Sequence, residues 1–492
     1  MRRRFTVLLL AVPLVVASHS SGCGSSSSSS SGARDGFADS SWPYPYSDLW
    51  RSSAAEDVGL PSGFESADLE TKSAELPPLP FFGVTDEKGN LFVLGGSPFL
   101  LNLFTEAAAG DPPNKEASAI AEAIESYAES EVVPAYVARV DPSMSVTTIE
   151  LPRGESVNYI GGLLAHENGK IYAVATSILF EIDPDSMGIS RSLDLPLLEA
   201  NPKFTSYNGL QVNPENGDII VKASDFAGSS ASLLISVRVD SLDIRTVTDV
   251  DVGTSRMTVA SHDGKEYLYI PAATETERYV ISDHGFELDE GWSKTYRSDD
   301  DGSIQATSML YMGSYDNVVF ADNDTIIYGV KAPLRIFSQS TISTTSNVTS
   351  QPAVSTSKPG GTFYMVAGDP FKTGIVVAQD AVNDIFAGWR LSENGDLTEV
   401  WENDEYATSA GPAIAVDQGH LYIDDSRCPS GGSECRNYLV VLDLESGNKV
   451  AEVEVAGEVA SLGKIFLGRN NAYFISSEYG KPHGFVTRVD RR

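Results

Sequence analysis

Two cations stand where a repetitive β sequence would place apolar residues. Lys222 interrupts the apolar run "IIVKAS", and Arg256 in "GTSRMTV" lies at the start of another such run. Brought to one space, an arginine fork and a lysine point charge would hold a carboxylate or a phosphate. The bland alternatives are a structural ion pair of Lys222 with Asp225 or a similar carboxylate, and an Arg256 fork across backbone carbonyls. Oxygen ligands are offered by "ADND" (321–324), "IDDS" (423–426) and "RSDDDGS" (297–303). Calcium takes roughly six to eight oxygens, so turn capping by Asp and Asn is the plainer account of these phrases.

The familiar catalytic signatures are missing. No GxSxG elbow, HExxH helix or phosphate-binding Walker loop occurs in the sequence, which disfavours the usual hydrolase, metalloprotease and nucleotide-binding readings. His166, His262 and His420 sit beside hairpin turns, so they repeat with the scaffold; His284 and His483 are isolated beside glycine. Of three cysteines, Cys428 and Cys435 flank "PSGGSE", a loop that lets the two sulfurs meet in a disulfide if the chain is exported. No histidine lies there to complete a zinc site.

Export is indicated by the first 22 residues: Arg2, Arg3 and Arg4, the apolar stretch "FTVLLLAVPLVVA", then small residues. The apolar stretch is too short, and too interrupted by Pro13, for a permanent span. The formal net charge is −33, from 35 basic and 68 acidic residues, and loss of the three arginines deepens it. Such acidity repels phosphate backbones and disfavours nucleic acid. "SSGC" at 20–23 resembles the lipobox of bacterial lipoproteins, with Ser20 replacing the usual apolar residue. That resemblance implies a lipidated Cys23, and outer-membrane sorting in a Gram-negative host because Gly24 follows. Cleavage after Ala17 would instead give a soluble periplasmic or secreted chain. Ser25–Ser31 then form a flexible tether.

The elements that must position Lys222 and Arg256 are read from a returning phrase, a turn and then an aromatic or β-branched strand. It runs "KGNLFVLGG", "NGKIYAVAT", "NGDIIVKAS", "DGKEYLYIPA", "YDNVVFADN", "GGTFYMVAG", "QGHLYIDDS" and "RNNAYFISS". After a longer first interval the phrases recur about every 50 residues, the signature of a repeated supersecondary unit. Asn-Gly and Asp-Gly mark hairpins, and four strands can be read across residues 161–196. The expectation is an all-β chain, a β-propeller of four-stranded blades, eight in number with seven as the alternative. A short helical insertion at about 112–130 lengthens the first blade, Asn114 capping it and Ile120, Ile124 and Tyr127 sharing a face.

The domain reading is a signal peptide over 1–22, a lipidated cysteine and irregular tether over 23–75, and a propeller over 76–492. A strand near 76–84 would complete the last blade. Trp42, Tyr44, Tyr46 and Trp50 match no blade and pack on the propeller, or form an exposed patch for a partner or sugar. In such a fold the innermost strand begins and the second strand ends on the same rim. That rule gathers Asn158, Asn208, Lys222, Arg256, Asn323, Asp369 and Asp425 as ligand-binding candidates.

"YLVVLDLESGNKVAEVEV" (438–455) resembles the strand-turn-strand phrase of quinoprotein-like and YVTN-type propellers, which implies fold more than function. The adjacent cysteine pair of quinoprotein dehydrogenases is absent, and the five tryptophans are not periodic, so pyrroloquinoline quinone is disfavoured. "YNGLQVNPENGDIIVKASD" (207–225) is more loosely similar to calcium-dependent gluconolactonase and strictosidine-synthase-like propellers. That similarity implies a metal ligand at Asn208, with Asp322 and Asn323 as further oxygens if calcium binds. No other cofactor is indicated. The reading is a monomeric, membrane-tethered module binding a small anionic ligand or a protein at the cell envelope, a calcium-dependent hydrolase or lactonase being the alternative.

Overall fold

Hairpins are set by the turn residues. Gly169 and Gly419 adopt φ of 77° and 64°, and a Cβ at either would meet no atom within 4 Å. Their constraint is therefore conformational, the left-handed region that glycine enters freely. Asn470, at φ 68°, does the same work in the last repeat without a glycine, as asparagine can.

The computed structural model describes residues 35–96 and 133–492, excepting 157–158, 226–230, 253–255, 263, 272–274, 296–314, 321–324, 331–334, 341–353, 359–362, 381–382, 394, 407–410, 428–435, 458 and 478–482. The expected helix at 112–130 lies outside them. Among the described residues the strands form eight sheets: six of four antiparallel strands, one of four antiparallel strands plus the short parallel Ala54–Ala55, and one, over Tyr315–Ser340, of three. These are eight blades of a β-propeller in chain order, the first starting at Pro80–Thr85 and the last at Val459–Gly468. The first strand of each blade is innermost. These strands pack side by side around the ring, Pro80–Thr85 lying between Ile160–Ala165 and Val459–Gly468.

Closure differs from expectation. The last blade has three strands of its own, and Leu69–Leu76 supplies the fourth, running antiparallel to Gly484–Arg491 from the Leu69–Arg491 pair to the Leu76–Gly484 pair. The residues expected to close the ring instead contain Pro80–Thr85, the innermost strand of blade 1. Burial explains the assignment. "LETKSAEL" buries only its two end leucines and exposes most of its middle, as an outer edge can, whereas every residue of "PFFGVT" is buried.

Five of the innermost strands share a second irregularity. Their pairing with the second strand slips between Pro80 and Phe82, Ile160 and Gly162, Tyr207 and Gly209, Phe363 and Val366, and Ala460 and Lys464. Bulges of this kind re-aim side chains and bend the strand, here at one level of the ring. Gly161 shows how tight that level is: a Cβ there would lie 1.6 Å from the Tyr207 carbonyl oxygen of the next blade.

Candidate functional site

The irregular N-terminal segment belongs to the folded body, not to the tether expected over 23–75. Trp42, Tyr44, Tyr46 and Trp50 are all buried, in accord with packing on the propeller. The segment bonds to the innermost strands of six blades. Ala38 donates its amide to Ala165 O (3.0 Å), Thr85 donates to Trp42 O (2.8 Å), and Val259 donates to Leu49 O (3.1 Å). Gly368 then donates to Ser52 O (2.9 Å), Ile414 to Ser53 O (2.8 Å), and Gly59 to Gly468 O (2.9 Å). Ala54–Ala55 adds a short parallel strand inside blade 7. Residues 36–60 thus enter the channel at the end where most of these innermost strands finish, with Tyr46 and Arg51 reaching inward to Lys464 and Arg256.

Non-glycine residues in the left-handed region concentrate here: Ser47 at φ 74°, Arg51 at 57°, Ser53 at 52° and Asp57 at 54°. Each costs roughly 1–2 kcal/mol and persists where its surroundings over-determine it. The fixing contacts are visible. Asp48 takes the Ser52 amide (3.0 Å) and hydroxyl (2.5 Å), and the Ser47 hydroxyl donates to Ala54 O (2.6 Å).

Toward the other end of the channel, cations gather around the Tyr46 ring. Arg51 Cζ lies 4.2 Å from its centroid, Lys464 Nζ 4.2 Å, and Arg256 Cζ 5.8 Å. Phe82 flanks the same group, 4.7 Å from Lys464 and 4.8 Å from Arg256. An Arg256 Nη2 to Tyr159 hydroxyl contact of 3.4 Å ties blade 4 to blade 2. Repulsion from Arg256 disfavours the Lys222 ammonium. The Lys222 amine donates to Ser224 Oγ (2.6 Å), and that hydroxyl donates to Asn208 Oδ1 (3.2 Å).

Lys222 is wholly buried and Lys464 nearly so. Burial, then repulsion from Arg256, pushes the Lys222 ammonium down to about 7. Burial likewise brings Lys464 down to about 8, with Arg256 and Arg51 adding to the push and the Tyr46 oxygen opposing it. Desolvation disfavours an ammonium, and neighbouring cations disfavour it further. A cluster of this kind favours negative charge beside it.

The rim candidates separate accordingly. Asn208, Lys222 and Arg256 come together, Asn208 being the bulged residue of its strand. Asp425 lies on blade 7, where it accepts from Arg427 Nε (2.6 Å). Asp369 is at the opposite end of the ring from the expected rim, because it follows its innermost strand instead of preceding it. Its carboxylate takes the amides of Phe371, Lys372 and Thr373 and the Thr373 hydroxyl, which makes it a turn former. Asn158, Asp322, Asn323, Cys23, Cys428 and Cys435 lie outside the described residues. Among the described residues no group of three or more His, Cys, Asp or Glu side chains is placed to hold a metal ion. His166 is buried and held to the Gly217 carbonyl at 2.8 Å, and burial lowers its pKa.

Lys464, Arg51 and Tyr46 are the members that the sequence reading passed over. "SLGKIFLG" carries the signal already used for Lys222, a lysine inside an apolar strand. Tyr46 and Arg51 have no such signal, since they stand outside the repeat.

No family model and no curated protein matches this chain. Solved structures do. Quinohemoprotein alcohol dehydrogenase from Comamonas testosteroni superposes with a TM-score of 0.57 at 10% identity, covering 91% of this chain and 80% of its own. Quinohemoprotein alcohol dehydrogenase ADHIIG from Pseudomonas putida HK5 gives 0.53 at 9% identity, covering 92% and 80%. The WD40 domain of SCAP from fission yeast gives 0.50 at 6% identity, covering 86% and 98%. At such identities the likeness is one of fold, the β-propeller, and leaves chemistry to the residues.

Proposed function

We propose that this chain is an anion-binding β-propeller displayed at the cell envelope, its ligand a small carboxylate or phosphate held among Lys222, Arg256, Lys464 and Arg51. The observation that carries the reading is the gathering of Arg51, Lys464 and Arg256 on one phenol ring in a chain with 35 basic and 68 acidic residues. Enclosing like charges together works against folding. A ligand carboxylate or phosphate placed among them turns that cost into charge-assisted hydrogen bonds, the strong kind. Export and a lipid on Cys23 are supported by the basic and apolar start, the SSGC phrase and the serine tract.

Isothermal calorimetry of the mature protein with citrate and inorganic phosphate, against glucose as a neutral control, tests the reading. The expected result is saturable heat with at least one anion, none with glucose, and roughly a tenfold or greater loss of affinity in Lys464→Met, since hydrogen bonds to charged groups contribute about 1.5–3 kcal/mol. Equal binding by the variant would remove the site. Mass spectrometry of the mature N-terminus checks the anchor, expecting acyl mass on Cys23; a free Ser18 terminus would contradict it.

A further inference from the structure

We infer that the N-terminal segment is half of this anion site and its reporter, so that filling the site locks residues 44–57 into the channel. This inference rests on the anion-binding reading and adds a coupling that the reading does not contain. Three cations share the Tyr46 ring, and they come from different parts of the chain. Arg51 belongs to the segment itself, Lys464 to blade 8 and Arg256 to the approach to blade 4. An anion set among them must bridge the segment to the ring of blades. The ring alone supplies Lys464, Arg256 and Lys222, with Arg256 repelling each of the two buried lysines.

The segment is built to respond. Ser47, Arg51, Ser53 and Asp57 hold left-handed backbone, conformations kept only while their surroundings enforce them. The enforcing contacts are the bonds of Asp48 and Ser47 inside the segment and a few backbone hydrogen bonds to the blades, among them Gly368 to Ser52 O (2.9 Å), Ile414 to Ser53 O (2.8 Å) and Val416 to Ala55 O (2.9 Å). A ligand contacting Arg51 adds one more constraint to the same short stretch. By linkage, whatever binds the seated segment and not the loosened one must stabilise seating.

Hydrogen-deuterium exchange of the full mature protein, with and without citrate, reads the coupling directly. At a citrate concentration ten times its Kd, amides of residues 44–57 are expected to exchange about tenfold more slowly, while those of the outer strand Gly188–Asp194 stay unchanged. Arg51→Ala is expected to lose the added protection and Arg51→Lys to keep part of it. The wild-type comparison alone decides the matter if the alanine variant does not fold. Calorimetric binding of citrate without slower exchange in 44–57 overturns the coupling and leaves the anion site standing. Absence of citrate and phosphate binding overturns both.

Discussion

The two ends of the channel use the same ring of strands in opposite ways. Where the innermost strands finish, the N-terminal segment satisfies their backbone groups and stacks its aromatics, as in the Phe37–Tyr44 pair at 5.5 Å and the Trp50–Phe371 pair at 5.7 Å. Toward the other end the chain gathers lysines and arginines whose charges oppose one another. One end is organised for stability and the other at a cost to stability. Such a division is expected where a binding site is kept against the preference of the fold, and it assigns different consequences to mutations on the two sides.

The sharpest break should come at the closed end. Trp42 is wholly buried, with its amide on Thr85 Oγ1 at 2.8 Å. Trp42→Ala should cost about 3–5 kcal/mol, read as a large drop in the denaturant midpoint. A loss under about 1 kcal/mol would mean that the segment is not part of the cooperative unit.

Substitution at the charged end should move stability the other way. Lys464→Met removes a buried ammonium and keeps its volume, so stability at pH 7 should rise by roughly 1–3 kcal/mol while anion binding falls. A destabilised variant would make Lys464 a structural residue and erase the contrast between the ends.

The pH dependence sharpens the same point. Folded pKa values of about 7 for Lys222 and about 8 for Lys464 lie below the ordinary lysine value of 10.5, so the unfolded chain binds more protons than the folded one across that interval. Stability should therefore rise as pH increases from about 7 toward 10, by up to about 1.4 kcal/mol per pH unit for each lysine. Tyrosines with raised pKa work in the opposite direction only where unfolded phenols ionise, near pH 10. The Lys222→Met, Lys464→Met pair should flatten the rise; an unchanged slope would place its origin elsewhere.

The smallest effect belongs to geometry. Tyr46→Phe keeps the shared ring and loses the phenol oxygen that favours the Lys464 ammonium. Its effect on stability should stay within about 1 kcal/mol, the net worth of one hydrogen bond, with anion affinity reduced less than in Lys464→Met. A loss as large as that of the lysine variant would shift weight from the charges to the phenol.

What could be read from sequence divides along the same line. Repeated turn phrases fixed the blades because a hairpin turn is a local matter: Asn-Gly or Asp-Gly specifies it whatever surrounds it. Lys222 and Arg256 were legible for a related reason, as charges breaking a local apolar pattern, and Lys464 stood open to the same argument. Closure was misplaced by several residues because "PFFGVT" looks like any strand, and only burial on both faces makes it innermost. Asp369 was assigned to the wrong rim because "AGDPF" does not reveal on which side of its strand the turn falls. The segment around Tyr46 and Arg51 was opaque as a site. Its conformation is aperiodic and imposed by contacts with distant blades, so no window of its own sequence encodes it.

The measurement closest to the central claim is NMR of the protein with 13Cε-labelled lysine, titrated with acid and base, first alone and then with saturating citrate. Two lysines should titrate near 7 and 8 in the free protein, disappear from that range in the two methionine variants, and move upward by a unit or more when citrate binds, each unit being about 1.4 kcal/mol of mutual attraction. Lysines that all titrate above 10, or two low values that citrate leaves in place, would contradict the account.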